Sequence, residues 1–141
     1  TILENKRKAS YFSQDFNSFD RSRAAELLGR LGSYEYRDIL LEGIYKIDDP
    51  DVLAGILRGL EHLAYDPDDR TMEGIRFVMG KAKYGDINLM VAVCDCLTAL
   101  MRFGSNETAS AAISNLFYII KGPYSNIIQN YARQKIKNIV K

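Results

Sequence analysis

Apolar residues recur along this chain at offsets of four and three. The segments Arg23 to Leu31, Gly55 to Leu63, Ala92 to Leu100 and Tyr131 to Ile139 align without gaps. Three columns are apolar in all four rows: Ala24, Ile56, Val93, Ala132; then Leu28, Leu60, Leu97, Ile136; then Leu31, Leu63, Leu100, Ile139. That spacing puts the columns on one stripe of a helix, so the four segments read as equivalent amphipathic helices. A second set lies between them with the same spacing: Leu40, Ile44, Ile47; Ile75, Met79, Ala82; Ile113, Phe117, Ile120. Phe12, Phe16 and Phe19 repeat it near the start, where a shorter or irregular first helix is expected. The chain therefore alternates A helices, the second set, and B helices, the first set. The central B column is spaced by 32, 37 and 39 residues, a period near that of paired-helix repeats with loops absorbing the variation.

The punctuation between these segments suits helices. Asp49-Pro50 and Asp66-Pro67 each set a capping carboxylate before a proline that loses nothing at the first helical position. Asp86 after Gly85, and Asn106 after Gly104, read as a glycine stop followed by a cap. Gly29, Gly43, Gly55, Gly59, Gly74 and Gly80 fall inside helical stretches, where close helix packing is the expected use. No stretch sustains the period-two alternation of a strand, so the fold class is all-α.

The segments RSRAAELLGRLGS, PDVLAGILRGLEHLAYDPDD and INLMVAVCDCLTALMRFGS resemble the second helices of HEAT-like repeats, within the armadillo-type α-solenoid class. The likeness covers roughly residues 20–141. Leu28-Gly29 to Leu31-Gly32 is its most typical part, whereas Tyr65 and Arg102 stand where small residues are common. The resemblance implies a right-handed α-α superhelix of about four antiparallel helix pairs. Residues 1–141 are expected to form one domain of a longer chain, with 1–19 an irregular or capping first helix and 20–141 the repeats.

Composition narrows the chemistry. The 141 residues are 47% apolar and 26% charged, enough for a core without metal or disulfides. The longest uncharged run, Thr108 to Ile120, is 13 residues, short of a membrane span. No secretory apolar run follows Lys6, Arg7 and Lys8; the compartment does not follow from this, and a soluble, cytoplasmic setting is the favoured expectation. Cys94 and Cys96 stand about 200° apart on a helix, point to opposite faces and lack further ligands, so a metal or redox pair is not expected. His62 is the single histidine, which excludes most His-based catalysis and metal binding. The iron-binding His-Glu pairs of the HEAT-like deoxyhypusine hydroxylases have no counterpart in one Glu61-His62. The acidic turns Asp48-Asp49-Pro50-Asp51 and Asp66-Pro67-Asp68-Asp69 lack the glycine and closing glutamate of a calcium loop and read as caps. No phosphate loop or activated nucleophile appears. Neither an enzymatic activity nor a cofactor is expected.

The net charge of +1 is a sum of unlike parts. Asp48 to Glu73 carries eight acids against Arg58 and Arg70, whereas Lys121, Arg133, Lys135, Lys137 and Lys141 close the chain without an acid. That basic end reads as a solvated helix terminus or as a docking patch for an acidic partner. On a helical wheel, Glu26, Arg58, Asp95 and Gln134 lie two residues before the central B column, and Arg30, His62, Ala99 and Asn138 two after it. The resemblance implies that these B helices line a concave groove. Its mixed signs suit a protein ligand better than a phosphate backbone. A protein-interaction or scaffold module is therefore expected, with another protein or another domain of the same chain as partner and with Arg23, Arg30, Arg58, His62 and Asp95 as leading contacts. Two alternatives remain: a nucleic-acid-binding domain akin to HEAT-like DNA glycosylases, and a self-assembly or capping module signalled by Tyr11, Phe12, Phe16 and Phe19.

Overall fold

The computed structural model describes residues 17–140. Seven helices and no strand occur among them: α1 (Ser18–Arg30), α2 (Tyr34–Lys46), α3 (Pro50–Glu61), α4 (Arg70–Lys81), α5 (Ile87–Phe103), α6 (Asn106–Lys121) and α7 (Asn126–Val140). The protein is all-α over this span. Tyr11, Phe12, Phe16 and Lys141 lie outside the described residues. Phe19 belongs to the first turn of α1, where it is exposed, rather than to a separate preceding helix.

The helix starts follow from short polar side chains. Asn17 accepts from the Asp20 amide, Ser33 from Glu35, Asp49 from Asp51 and Ser105 from Thr108, so each supplies an acceptor to an otherwise unpaired helical N–H. Pro50 occupies the first turn of α3 as its sequence predicts. Ser105, not Asn106, caps α6, because Asn106 is already helical. Asp86 precedes α5 without a side-chain cap bond; its carboxylate instead accepts from the Lys83 amide at 2.8 Å.

The Asp66-Pro67 turn departs most from the expectation. α4 starts at Arg70, three residues after Pro67. Asp66 nevertheless reaches the helix from outside it, accepting from the Thr71 and Met72 amides at 2.9 Å each. Its other contact is the guanidinium of Arg37 from α2, at 2.6 Å. Arg37 also holds Asp68 at 2.8 Å. Both Arg37 and Asp66 are buried, so an internal ion pair anchors the turn to α2. The Arg37 hydrogen bond, partly opposed by desolvation, holds the Asp68 carboxyl well below the usual carboxylate range.

Packing sorts the helices by parity. α1 packs on α3, α3 on α5 and α5 on α7, whereas α2 packs on α4 and α4 on α6. Contacts between sequence neighbours join the two rows into two layers around one core. Ile56, Leu60, Val93, Leu97, Leu100, Leu40, Ile44 and Ile75 are fully buried there. The stripe differs at three places. Ala24 is only half-buried, and Ala25 beside it takes the core position. Leu31 is 67% exposed, because the chain turns at Gly32 before another element can cover it. In α6 the buried positions are Ala112, Leu116 and Ile119, one residue earlier than the expected Ile113, Phe117 and Ile120, and Phe117 is exposed. The apolar arc of α6 is broad enough for either register, and contact with α5 and α7 selects one. Cys94 and Cys96 are both buried because α5 is covered on almost every side. Burial pushes the Cys94 thiol up to about 12, so it behaves as a small apolar group.

Glycine sets the distance between α1 and α3. Ser22, Ala25 and Gly29 meet Gly55 and Gly59 so closely that a Cβ on Gly59 would lie 2.6 Å from the Ala25 carbonyl oxygen. A Cβ on Gly29 would collide with the Gly59 backbone, and one on Gly55 with Ser22. Gly74 makes room for the Ile44 side chain and Gly43 for Ile56. Gly80 is different: a methyl group added there would meet no atom within 4 Å, so close packing does not explain it. Gly80→Ala is therefore expected to stabilise the fold by about 0.5–1 kcal/mol through reduced backbone entropy of the unfolded chain, measurable by urea denaturation.

Candidate partner-binding groove

Three odd-numbered helices border a cavity of about 260 Å³. α3 contributes Glu61, and His62 follows at its end; α5 contributes Asp95, Thr98 and Arg102; α7 contributes Lys135. Successive B-helix residues converge here because α3, α5 and α7 lie side by side. The groove carries both signs of charge within one lining.

Asp95 organises its floor. It accepts from the Tyr131 hydroxyl at 2.6 Å and pairs with the Lys135 ammonium at 2.9 Å, tying α5 to α7. The ammonium also lies 5.0 Å from the centre of the Tyr131 ring, within cation–π range. Burial alone would lower the Lys135 pKa, but its hydrogen bond to Asp95 and the carboxylate charge outweigh this and hold it above its ordinary value. Burial and the bond to Asp95 likewise raise the Tyr131 hydroxyl. These groups are preset in one geometry before any ligand arrives.

Glu61 is the contrasting carboxylate. It is half-buried, and burial followed by the nearby Asp95 charge pushes it above the usual carboxylate range. Its proton is thus held more tightly in the folded than in the unfolded chain. That contribution favours folding below the unfolded pKa and is lost as pH rises through the folded value. Glu61→Gln is accordingly expected to raise the melting temperature at pH 7 but not at pH 4, and an equal rise at both would remove the electrostatic explanation.

The sequence candidates divide into three sets. Glu26, Arg30 and Arg58 form one polar cluster across α1 and α3: Arg30 approaches Glu26 at 3.6 Å, Arg58 approaches it at 3.9 Å, and Arg58 donates to Ser22 Oγ at 2.8 Å. His62 and Asp95 border the cavity, with Ala99 in its wall. Arg23, Gln134 and Asn138 are exposed and stand outside that lining. Of the basic end, Lys135 turns inward to Asp95, whereas Lys121, Arg133 and Lys137 are exposed. Glu61, Thr98 and Arg102 are not among the contacts expected from the sequence. Glu61 and Thr98 follow the central column by one residue and Lys135 precedes it by one, so they flank the apolar stripe. The wheel selected positions two residues away and passed over that boundary.

Among the described residues no helix is long and apolar enough to cross a membrane, and no group of three His, Cys, Asp or Glu side chains converges for a metal ion. No family model matches the chain. No solved structure matches it either. It is similar to a protein of Treponema pallidum (strain Nichols) described as an uncharacterized protein, with 36% identity over 140 residues. The alignment takes in 99% of this chain and 26% of that relative, so the chain spans about a quarter of the relative's length.

Proposed function

We propose that this chain is a non-catalytic interaction module, a HEAT-like right-handed solenoid whose odd-numbered helices present a groove to a protein segment. The observation that carries this reading is the mixed-charge lining drawn from three successive odd helices. A rigid row of helices presents such a lining with little ordering cost, and alternating charge selects a ligand of matching pattern. The partner is another protein or another part of a longer chain. DNA binding has less support, because Arg58 and Lys135 already face Glu26 and Asp95.

A photo-crosslinking amino acid at Arg102, in cells of the source organism, tests the groove. A discrete cross-linked protein, lost when Glu61→Lys, His62→Glu and Lys135→Glu are combined, is the expected result. Unchanged capture by that triple variant would sink the reading. Micromolar DNA affinity falling steeply with salt would instead favour the nucleic-acid alternative.

A further inference from the structure

The turns that leave α1, α3 and α5 form an edge separate from the groove, and Tyr65 divides it. This ring is 57% exposed in the loop between α3 and α4. On one side it borders a cavity of about 220 Å³ with Tyr34 and Leu63; on the other, one of about 240 Å³ with Asp69 and Glu107. Two adjoining cavities thus share one aromatic wall but differ in chemistry.

The first cavity is walled by two tyrosine rings, Leu63 and Ala64, which suits an apolar side chain. Arg37 also lines it, with its guanidinium already committed to Asp66 and Asp68. In the second cavity Asp66 is already engaged by Arg37, but Asp69 and Glu107 make no ion pair among the described residues. Asp69 also makes no capping bond to its own helix. Two uncommitted carboxylates beside an exposed ring suit a cation, which gains both charge pairing and contact with the π face. The surrounding stretch from Asp48 to Glu73 is itself strongly acidic, with eight acids against two arginines.

We propose that this edge binds an extended, basic peptide segment: an apolar side chain seats between Tyr34 and Tyr65, and a lysine or arginine two residues along seats against Tyr65, Asp69 and Glu107. Adjoining cavities on one surface match alternate side chains of an extended strand, which point to the same face about 6.6 Å apart. This site shares only His62 with the groove and does not depend on the reading given above.

The test is an array of immobilised octapeptides with a Gly-Ser framework and every residue pair at two positions separated by a single residue, probed with the labelled chain. Apolar residues two places from Lys or Arg are expected to bind roughly ten-fold better than the same residues two places from Glu. Tyr65→Ala should abolish the preference at both positions. Asp69→Asn combined with Glu107→Gln should keep the apolar preference and lose the basic one, and amide spectra would establish that each variant is folded. Absence of a pair preference, selection of acidic pairs, or unchanged selection by folded Tyr65→Ala would each overturn the proposal. Should Tyr65→Ala not fold, the carboxylate double variant decides, because retained preference for Lys or Arg contradicts the assigned cation site.

Discussion

Asp66→Ala is expected to destabilise the fold by about 3–5 kcal/mol, the scale of breaking a buried ion pair by removing one partner. The substitution leaves the Arg37 guanidinium inside the protein with half of its charge compensation and strips the Thr71 and Met72 amides of their acceptor. Water cannot easily replace the carboxylate, because both side chains are almost fully enclosed. Urea denaturation with a far-ultraviolet readout checks the magnitude, and a loss below about 1 kcal/mol would show that the turn does not depend on this anchor. Asp66→Asn should fall between the two, since its amide oxygen can still accept from one helical N–H. The exposed partner Asp68 supplies a pH signature. Its folded pKa is depressed below the ordinary 3.8, so its contribution is present above that value and is lost as pH falls through the folded pKa. Asp68→Asn should therefore flatten the acid side of the stability profile while leaving the neutral melting behaviour closer to the parent than Asp66→Ala does.

Gly59→Ala is expected to cost about 2–3 kcal/mol, opposite in sign to Gly80→Ala although the chemical change is identical. At Gly59 the added methyl meets the Ala25 carbonyl at 2.6 Å and the Leu40 side chain at 3.1 Å. A carbonyl belongs to the backbone of α1 and cannot rotate away, so the two helices must separate and loosen the packing around Leu28 and Leu60. Helix propensity favours alanine by about 1 kcal/mol at both sites, which isolates the packing contribution as the difference between the pair. Urea denaturation of both variants gives that difference, and a Gly59→Ala cost within about 0.5 kcal/mol of zero would mean that α1 and α3 can part without penalty.

The alternation of helices was legible because its signal is periodic and repeated. Leu28, Leu60 and Leu97 are all buried where the shared stripe puts them, and the Asp49-Pro50 start is a local rule that the fold obeys. The register of α6 was not legible, since ASAAISNLFYII offers two overlapping apolar faces and only the neighbouring helices choose. The Asp66-Pro67 turn misled for a related reason: a short motif has one local meaning, but Arg37 lies 29 residues away and gives Asp66 a tertiary one. In the groove, Asp95 and His62, each two residues from the central column, both border the cavity, His62 as the C-cap that follows α3. The pairing of Asp95 with Lys135 spans 40 positions and depends on how α5 meets α7. Lys135 consequently read as part of a solvated basic end.

The helix pairing by parity also bears on how the chain acquires its shape. Every substantial contact joins helices one or two places apart in the sequence, and α1 has none with α5 or anything beyond it. Such low contact order permits fast folding, because only short loops must close before a contact gives a return. Growth can start at α3 and α5, whose interfaces are richest, and spread outward in both directions. During synthesis the N-terminal helices can settle before α7 leaves the ribosome, so aggregation-prone apolar faces are covered almost as soon as they are made.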